Sequence, residues 1–107
     1  MRLYRPVGKN ELALIKASNY SAFPERLPEQ PIFYPVVNVE YARYIASNWN
    51  KPEGYVTAFD INDEYISRFE IHIVGSQIHQ EYWIPAEELA EFNKNIIGKI
   101  EVIEQYI

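Results

Sequence analysis

Apolar and polar positions alternate along several short stretches of the chain, which is the pattern of half-buried β-strands. In the stretch 65–74, Ile71 and Ile73 fall on one side of a strand, and Glu70 and His72 fall on the other. We therefore predict that His72 faces solvent. The predicted strands cover residues 3–7, 32–37, 55–61, 65–74, 79–84 and 99–103, with Gly98 just before the last of them.

A helical period appears between some of these strands. The clearest one follows Asn38, a residue type favoured at helix N-caps, and its apolar positions are Tyr41, Ala42, Ile45, Ala46 and Trp49. This spacing of three and four residues is typical of an amphipathic helix. Asn10 is predicted to cap an earlier short helix, and Pro85 is predicted to begin a later one. Glu87, Glu88 and Glu91 then form the solvated face of that later helix.

Residues 19–31 do not fit either period. Pro24, Pro28 and Pro31 exclude a regular helix or a central strand there, and loops of this length are commonly functional. The element order is then β-α-β-α-β-β-β-α-β, with hairpin-like connections late in the chain. This order predicts an α+β fold with a split, mainly antiparallel sheet and short flanking helices.

Composition narrows the classes of function. A chain of 107 residues is expected to form a single domain over residues 1–107. The net charge of −5 argues against binding to a nucleic-acid backbone, and the absence of cysteine excludes disulfides, thiolate metal ligands and a thiol nucleophile. The two histidines lack helical metal-binding spacing, so no metal site is predicted. Without a signal-peptide pattern or a long apolar run, we expect a soluble cytoplasmic protein with no membrane contact.

Three short segments carry the candidate chemistry. They are Leu3-Tyr4-Arg5, then Phe33-Tyr34-Pro35-Val36 ahead of the helix with Ala42 and Ala46, and finally Glu81-Tyr82-Trp83-Ile84-Pro85. Their order over nearly the whole chain resembles the motifs of the arginine class of ADP-ribosyltransferases. The chain is also similar to small bacterial proteins labelled "ADP-ribosylation/crystallin J1", although the all-helical hydrolase family that this label suggests does not match a strand-rich chain.

The resemblance implies an ADP-ribosyltransferase-like fold that takes NAD as its substrate. It assigns Arg5 to the phosphates of NAD, because a planar guanidinium forms bidentate hydrogen bonds with them. Tyr34 and Tyr41 would contact the nicotinamide or adenine ring. Glu81 would stabilise the positive charge that develops on the ribose, and His79 would contact the acceptor. The implied reaction is cleavage of the nicotinamide–ribose bond with transfer of ADP-ribose to an unknown acceptor, or hydrolysis by water.

An alternative function remains open beside this one. The family usually has Ser-Thr-Ser where this chain has Tyr34-Pro35-Val36, and Glu or Gln where it has His79. These differences favour a catalytically inactive interaction module, of the immunity or adaptor type, on the same fold. Each site residue also has a structural alternative: a surface salt bridge for Arg5, a solvent-facing strand position for Glu81, and an exposed strand end for His79.

Two geometric predictions follow from the resemblance. Arg5 and Glu81 should lie on neighbouring strands with their side chains opening into one cleft. Phe23 or Arg26, from the proline-rich loop, should approach that cleft.

Overall fold

The computed structural model describes residues 1–48, 52–75 and 79–107. Over these ranges the chain combines short helices with small antiparallel sheets, which agrees with the predicted α+β class. The helices are α1 (Lys9–Ala17), α2 (Val39–Asn48), α3 (Asp63–Ile66) and α4 (Leu89–Lys94), with a 3₁₀ turn at Ala86–Glu88. The strands are β1 (Arg2–Gly8), β2 (Ile32–Phe33), β3 (Gly54–Ile61), β4 (Ile71–Ile73), β5 (Gln80–Tyr82), β6 (Ile84–Pro85) and β7 (Ile96–Tyr106).

The central strand β3 lies between β1 and β7 in an antiparallel sheet. Its pairing with β1 is regular over the whole length of β1, from Arg2 opposite Asp60 to Gly8 opposite Gly54. Pairing with β7 is interrupted by register shifts, and Gly98 lies inside β7 at one of them, with φ +76°. The predicted start of this strand after Gly98 was therefore wrong. A glycine adopts this left-handed backbone without steric cost, so the strand continues through the irregularity.

The segment around Val36 joins β1 to β5. Val36 forms antiparallel bridges with Tyr4 on one side and with Glu81 on the other. The strand predicted for residues 32–37 is shorter than expected, since only Ile32–Phe33 forms β2, paired with β6. Pro35 lies inside the predicted strand and has no N–H to donate to a ladder, which is consistent with pairing limited to bridges here.

The main core is built around packed phenylalanines. Phe33 is fully buried, and its ring centroid lies 5.1 Å from that of Phe23 and 5.3 Å from that of Phe92. A second cluster packs Ala42 and Ala46 of α2 with Val36 and with Val56 of β3. No helix in the described ranges is long and apolar enough to cross a membrane.

Helix starts were predicted with mixed success. The N-cap at Asn38 is confirmed, because its Oδ1 accepts a 3.0 Å hydrogen bond from the Tyr41 N–H; Trp49, predicted on the same helix, lies outside the described residues. Asn10 is not a cap, since α1 already begins after Gly8.

Pro85 directly precedes the 3₁₀ turn that leads into α4, as expected. Glu88 is not simply solvated: it accepts a 3.0 Å hydrogen bond from the Tyr65 hydroxyl.

The largest error concerns residues 65–74. Asn62 caps α3 by accepting a 2.9 Å hydrogen bond from the Tyr65 N–H, so the first part of the predicted strand is helical. Only Ile71–Ile73 is extended, and Ile71 and Ile73 are exposed. His72 does not face solvent freely, because its ring stacks on Trp83 at a centroid distance of 3.8 Å. The predicted strand 79–84 likewise divides into β5 and β6 at Trp83.

Candidate functional site

A cleft of about 470 Å³ lies beside β1, β5 and the 19–31 loop. Its charged lining consists of Arg5, Glu11, Arg26 and Glu81, and its aromatic lining consists of Tyr34 and Trp83. The prediction that Arg5 and Glu81 open into one cleft is thus confirmed. They do not lie on directly neighbouring strands, because the Val36 segment bridges β1 on one side and β5 on the other.

Arg5 is held by a bidentate ion pair. Its Nε lies 2.7 Å from Oε2 of Glu11, and its Nη2 lies 3.0 Å from Oε1 of the same carboxylate. The residue is 8% exposed, and its Cζ lies 4.5 Å from the ring centroid of Phe33. On the backbone side, Thr57 Oγ1 donates a 2.7 Å hydrogen bond to the carbonyl of Arg5. This is a buried, preorganised guanidinium rather than the surface salt bridge of the structural alternative.

Sequence reasoning did not identify Glu11 as a site residue. It lies in the first turn of α1, where a carboxylate also interacts favourably with the helix dipole. A glutamate at this position has that ordinary explanation, so the sequence carries no distinct signal of its partnership with Arg5.

Arg26 supplies a second guanidinium from the proline-rich loop. Its Nη2 donates a 3.0 Å hydrogen bond to the Ile32 carbonyl, and its Cζ lies 5.8 Å from the Phe33 ring centroid. Burial, together with the charge of Arg5, lowers the pKa of Arg26. Of the two loop residues predicted to approach the cleft, Arg26 lines it and Phe23 belongs to the core.

Glu81 is a buried carboxylate with two donors. Trp83 Nε1 donates a 3.0 Å hydrogen bond to its Oε1, and the Tyr41 hydroxyl lies 3.5 Å from its Oε2. The residue is 9% exposed, so it is not the solvent-facing strand position of the structural alternative. Burial, and then the charge of Glu81, raises the pKa of Tyr41. This phenol therefore stays protonated and available as a donor at neutral pH.

The remaining predicted site residues lie at different places. Tyr34 lines the cleft, and its ring meets Trp83 edge-on at a centroid distance of 6.4 Å. His79 stacks on Tyr41 at 4.4 Å, with 13° between the ring planes. Neither the His79 ring nor the Tyr41 ring is among the cleft-lining side chains, and Tyr41 is connected to the site by its hydrogen bond to Glu81. Their predicted roles toward a ligand stay predictions.

Sequence reasoning did not identify Trp83 as a residue of the cleft. Side chains two positions apart on an extended backbone project to the same side. The position of Trp83 two residues after Glu81 was therefore the available signal that both side chains face the cleft. In the described ranges, no group of three or more His, Asp or Glu side chains is arranged to hold a metal ion.

The cleft has the size and the side chains to accommodate a small molecule. Its volume falls within the range of about 300–1,000 Å³ that ligand pockets occupy. Guanidinium groups bind phosphates or carboxylates, and exposed aromatic rings stack on planar ring systems. A buried carboxylate accepts hydroxyl hydrogen bonds and opposes positive charge. The arrangement thus suits a ligand with an anionic part, a planar ring and a hydroxyl-bearing or cationic centre.

Comparison of the chain with protein-family models, with curated proteins and with solved structures finds no match. A proposal about a ligand of the cleft therefore depends on the cleft's own residues and on the sequence.

Proposed function

We propose that the protein binds NAD in this cleft and cleaves its nicotinamide–ribose bond, transferring ADP-ribose to an acceptor. The observation that carries the proposal is the buried carboxylate of Glu81, which lines the same cleft as the guanidinium groups of Arg5 and Arg26. NAD combines phosphates, planar rings and a ribose that becomes positively charged during cleavage. The order of the three sequence segments that resemble ADP-ribosyltransferase motifs supports the same ligand, and it supports an ADP-ribosyltransferase-like split sheet as the finer description of the fold.

Each group has a defined task in this proposal. The C–N bond breaks with its electron pair leaving on the nicotinamide nitrogen, and Glu81 stabilises the oxocarbenium-like ribose. A nucleophilic atom of the acceptor, or water, then bonds to the ribose carbon and releases its proton to solvent. Arg5 binds the phosphates, while Tyr34 and Trp83 contact the planar ring. His79 is proposed to lie toward the acceptor.

The test is nicotinamide release measured against NAD concentration. Glu81→Gln preserves the shape of the side chain and removes its charge, so turnover should fall by about 10²–10³, the effect of losing one preorganised electrostatic group. Affinity for NAD should change little, because the lost interaction strengthens mainly in the transition state. Glu87→Gln, at an exposed position of the 3₁₀ turn, is the matched charge control. A parent protein that neither binds NAD nor releases nicotinamide would end the proposal.

A second candidate function is a catalytically inactive interaction module. Two structural observations favour it. The first is that both Nε and Nη2 of Arg5 already donate to Glu11. The second is that exposed apolar side chains on the β4–β5 hairpin, including Ile71 and Ile73, offer contact surface for a protein partner. This function predicts no binding of NAD by calorimetry, whereas the enzyme predicts binding even in Glu81→Gln.

A further inference from the structure

We infer that Arg5 and Arg26 form a two-arginine anion site in the cleft, and that the carboxylate of Glu11 occupies this site until the phosphates of a ligand displace it. The inference rests on the proposed function only for the natural ligand. The anion site itself can be examined with inorganic pyrophosphate, without any cleavage reaction.

The first argument is the balance of charge. Two guanidinium groups, Arg5 and Arg26, and two carboxylates, Glu11 and Glu81, line the cleft. Glu81 is hydrogen-bonded to Trp83 and Tyr41, and Glu11 is the carboxylate that acts on the pKa of Arg26, so the two arginines share the carboxylate of Glu11. Both guanidinium carbons lie over the ring of the fully buried Phe33, at 4.5 Å and 5.8 Å from its centroid. The pKa of Arg26 is lowered first by burial and then by Arg5, while Glu11 acts in the opposite direction. A second negative charge at this point would relieve the repulsion between the two arginines.

The second argument is an unused donor. The Nε of Arg26 is buried and has no hydrogen-bond partner within the part of the chain that the structure describes. A buried donor without a partner carries a free-energy penalty. An anion that accepts a hydrogen bond from this nitrogen would remove that penalty. Glu11 does not satisfy this donor, so Arg26 can gain from a ligand what it does not gain from Glu11.

The third argument is that Glu11 imitates a phosphate. Its two oxygens accept from Nε and Nη2 of Arg5 at 2.7 Å and 3.0 Å, the fork geometry that guanidinium uses for carboxylates and phosphates alike. The Glu11 side chain is 20% exposed, compared with 10% for Arg5. Glu11 can therefore rotate toward solvent while Arg5 stays in place. A diphosphate that takes its position brings more negative charge to the two arginines than one carboxylate does.

The experiment compares pyrophosphate binding by the parent protein, Glu11→Gln and Arg26→Gln, followed by NMR chemical shifts at constant ionic strength. The parent should bind weakly, because pyrophosphate must displace Glu11. Glu11→Gln should bind at least about tenfold more tightly, a factor that corresponds to about 1.4 kcal/mol. Arg26→Gln keeps the Arg5–Glu11 pair and should lose most of the binding.

Glu29→Gln is the matched control, since it makes the same change of net charge at an exposed position of the 19–31 loop. An equal gain in affinity in Glu29→Gln would reduce the effect to overall charge and overturn the inference. Unchanged or weaker binding by Glu11→Gln would also overturn it. If Glu11→Gln does not fold, the comparison of the parent with Arg26→Gln tests the inference. Binding by the parent that is lost in Arg26→Gln supports the anion site. Equal binding by both proteins, or no binding by the parent at millimolar pyrophosphate, refutes the anion site.

Pyrophosphate binding and NAD cleavage can fail separately. A parent that binds pyrophosphate through Arg26 but releases no nicotinamide would retain the anion site and lose the proposed enzymatic function. Nicotinamide release with no effect of Glu11→Gln on pyrophosphate binding would retain the enzyme and remove Glu11 from the site.

Discussion

The indole Nε1 of Trp83 donates a 3.0 Å hydrogen bond to Oε1 of Glu81, two residues earlier in the chain. Glu81 is buried, whereas Trp83 is 44% exposed and lines the same cleft. The indole thus fixes one oxygen of the carboxylate and also forms part of the wall that a ligand would contact. The orientation of Glu81 depends on this partner as well as on its own strand.

Trp83→Phe removes the N–H donor while keeping an aromatic ring beside His72. We expect the free energy of unfolding to fall by about 1 kcal/mol, the usual net value of one hydrogen bond. Turnover of NAD should fall more than NAD affinity, because the carboxylate loses its orientation. Urea unfolding and nicotinamide release measure the two effects. Tyr34→Phe, which alters the other cleft ring by one hydroxyl, is the control, and equal effects in both variants would contradict this role for Trp83.

Arg5→Ala should destabilise the protein. Removal of Arg5 leaves the carboxylate of Glu11 without its ion-pair partner, but the Glu11 side chain is 20% exposed and can turn toward solvent. The loss should therefore be smaller than the roughly 3–5 kcal/mol of a fully buried pair. Adding Glu11→Ala should restore part of the lost stability, since the two residues are coupled. Arg2→Ala is the control on the same strand: Arg2 pairs with Glu101 at the exposed surface at 3.4 Å, and such pairs contribute about 0–1 kcal/mol. Additive losses in the double variant would show that the Arg5–Glu11 pair contributes nothing.

The 19–31 loop should become more protected from hydrogen exchange when the cleft is filled. Its Phe23 end is already anchored, because the Phe23 N–H donates a 2.9 Å hydrogen bond to Asn93 Oδ1. The new protection should therefore appear around Arg26, which lines the cleft. Exchange measured by mass spectrometry with saturating NAD, in the parent and in Arg26→Gln, makes the comparison. Identical exchange with and without ligand in the parent would identify a purely structural loop.

Stability should decline at alkaline pH. Burial is the main cause that raises the pKa values of Tyr41, Tyr65 and Tyr82 above the ordinary tyrosine value of 10.0. The unfolded chain then loses these protons first, so the stabilisation is complete below about pH 10 and is lost as the pH rises through the folded-state values.

Urea unfolding measured from about pH 8 to about pH 11.5, a range that includes the ordinary pKa of tyrosine, tests this dependence. Tyr65→Phe should lessen the decline, because Tyr65 is buried and its hydroxyl donates to Glu88. A slope that Tyr65→Phe does not alter would assign the alkaline loss to other groups.

Local sequence determined the elements whose signals lie within a few neighbouring residues. The start of α2 follows from the Asn38 side chain, which reaches the Tyr41 N–H within one turn, and its buried face follows from Tyr41, Ala42 and Ala46 at helical spacing. Strands β1 and β3 were predicted from alternation, and their extended conformation is confirmed. Burial does not alternate in β3, because the four successive residues 56–59 are all buried. The composition of the cleft was also partly foreseeable, through Arg5, Tyr34 and Glu81.

Only the tertiary structure decided how those residues are used. Alternation in residues 71–73 could not tell which side of β4 is covered, because that depends on Trp83, which comes from beyond the hairpin and stacks on His72. The resemblance predicted that Phe23 or Arg26 approaches the cleft, and only the fold decided that it is Arg26. The sequence could not reveal that Glu11 pairs with Arg5, since a helix-start glutamate has an ordinary local role. The energies of these contacts come from burial and from distances between separate elements, and such quantities exist only once the chain has folded.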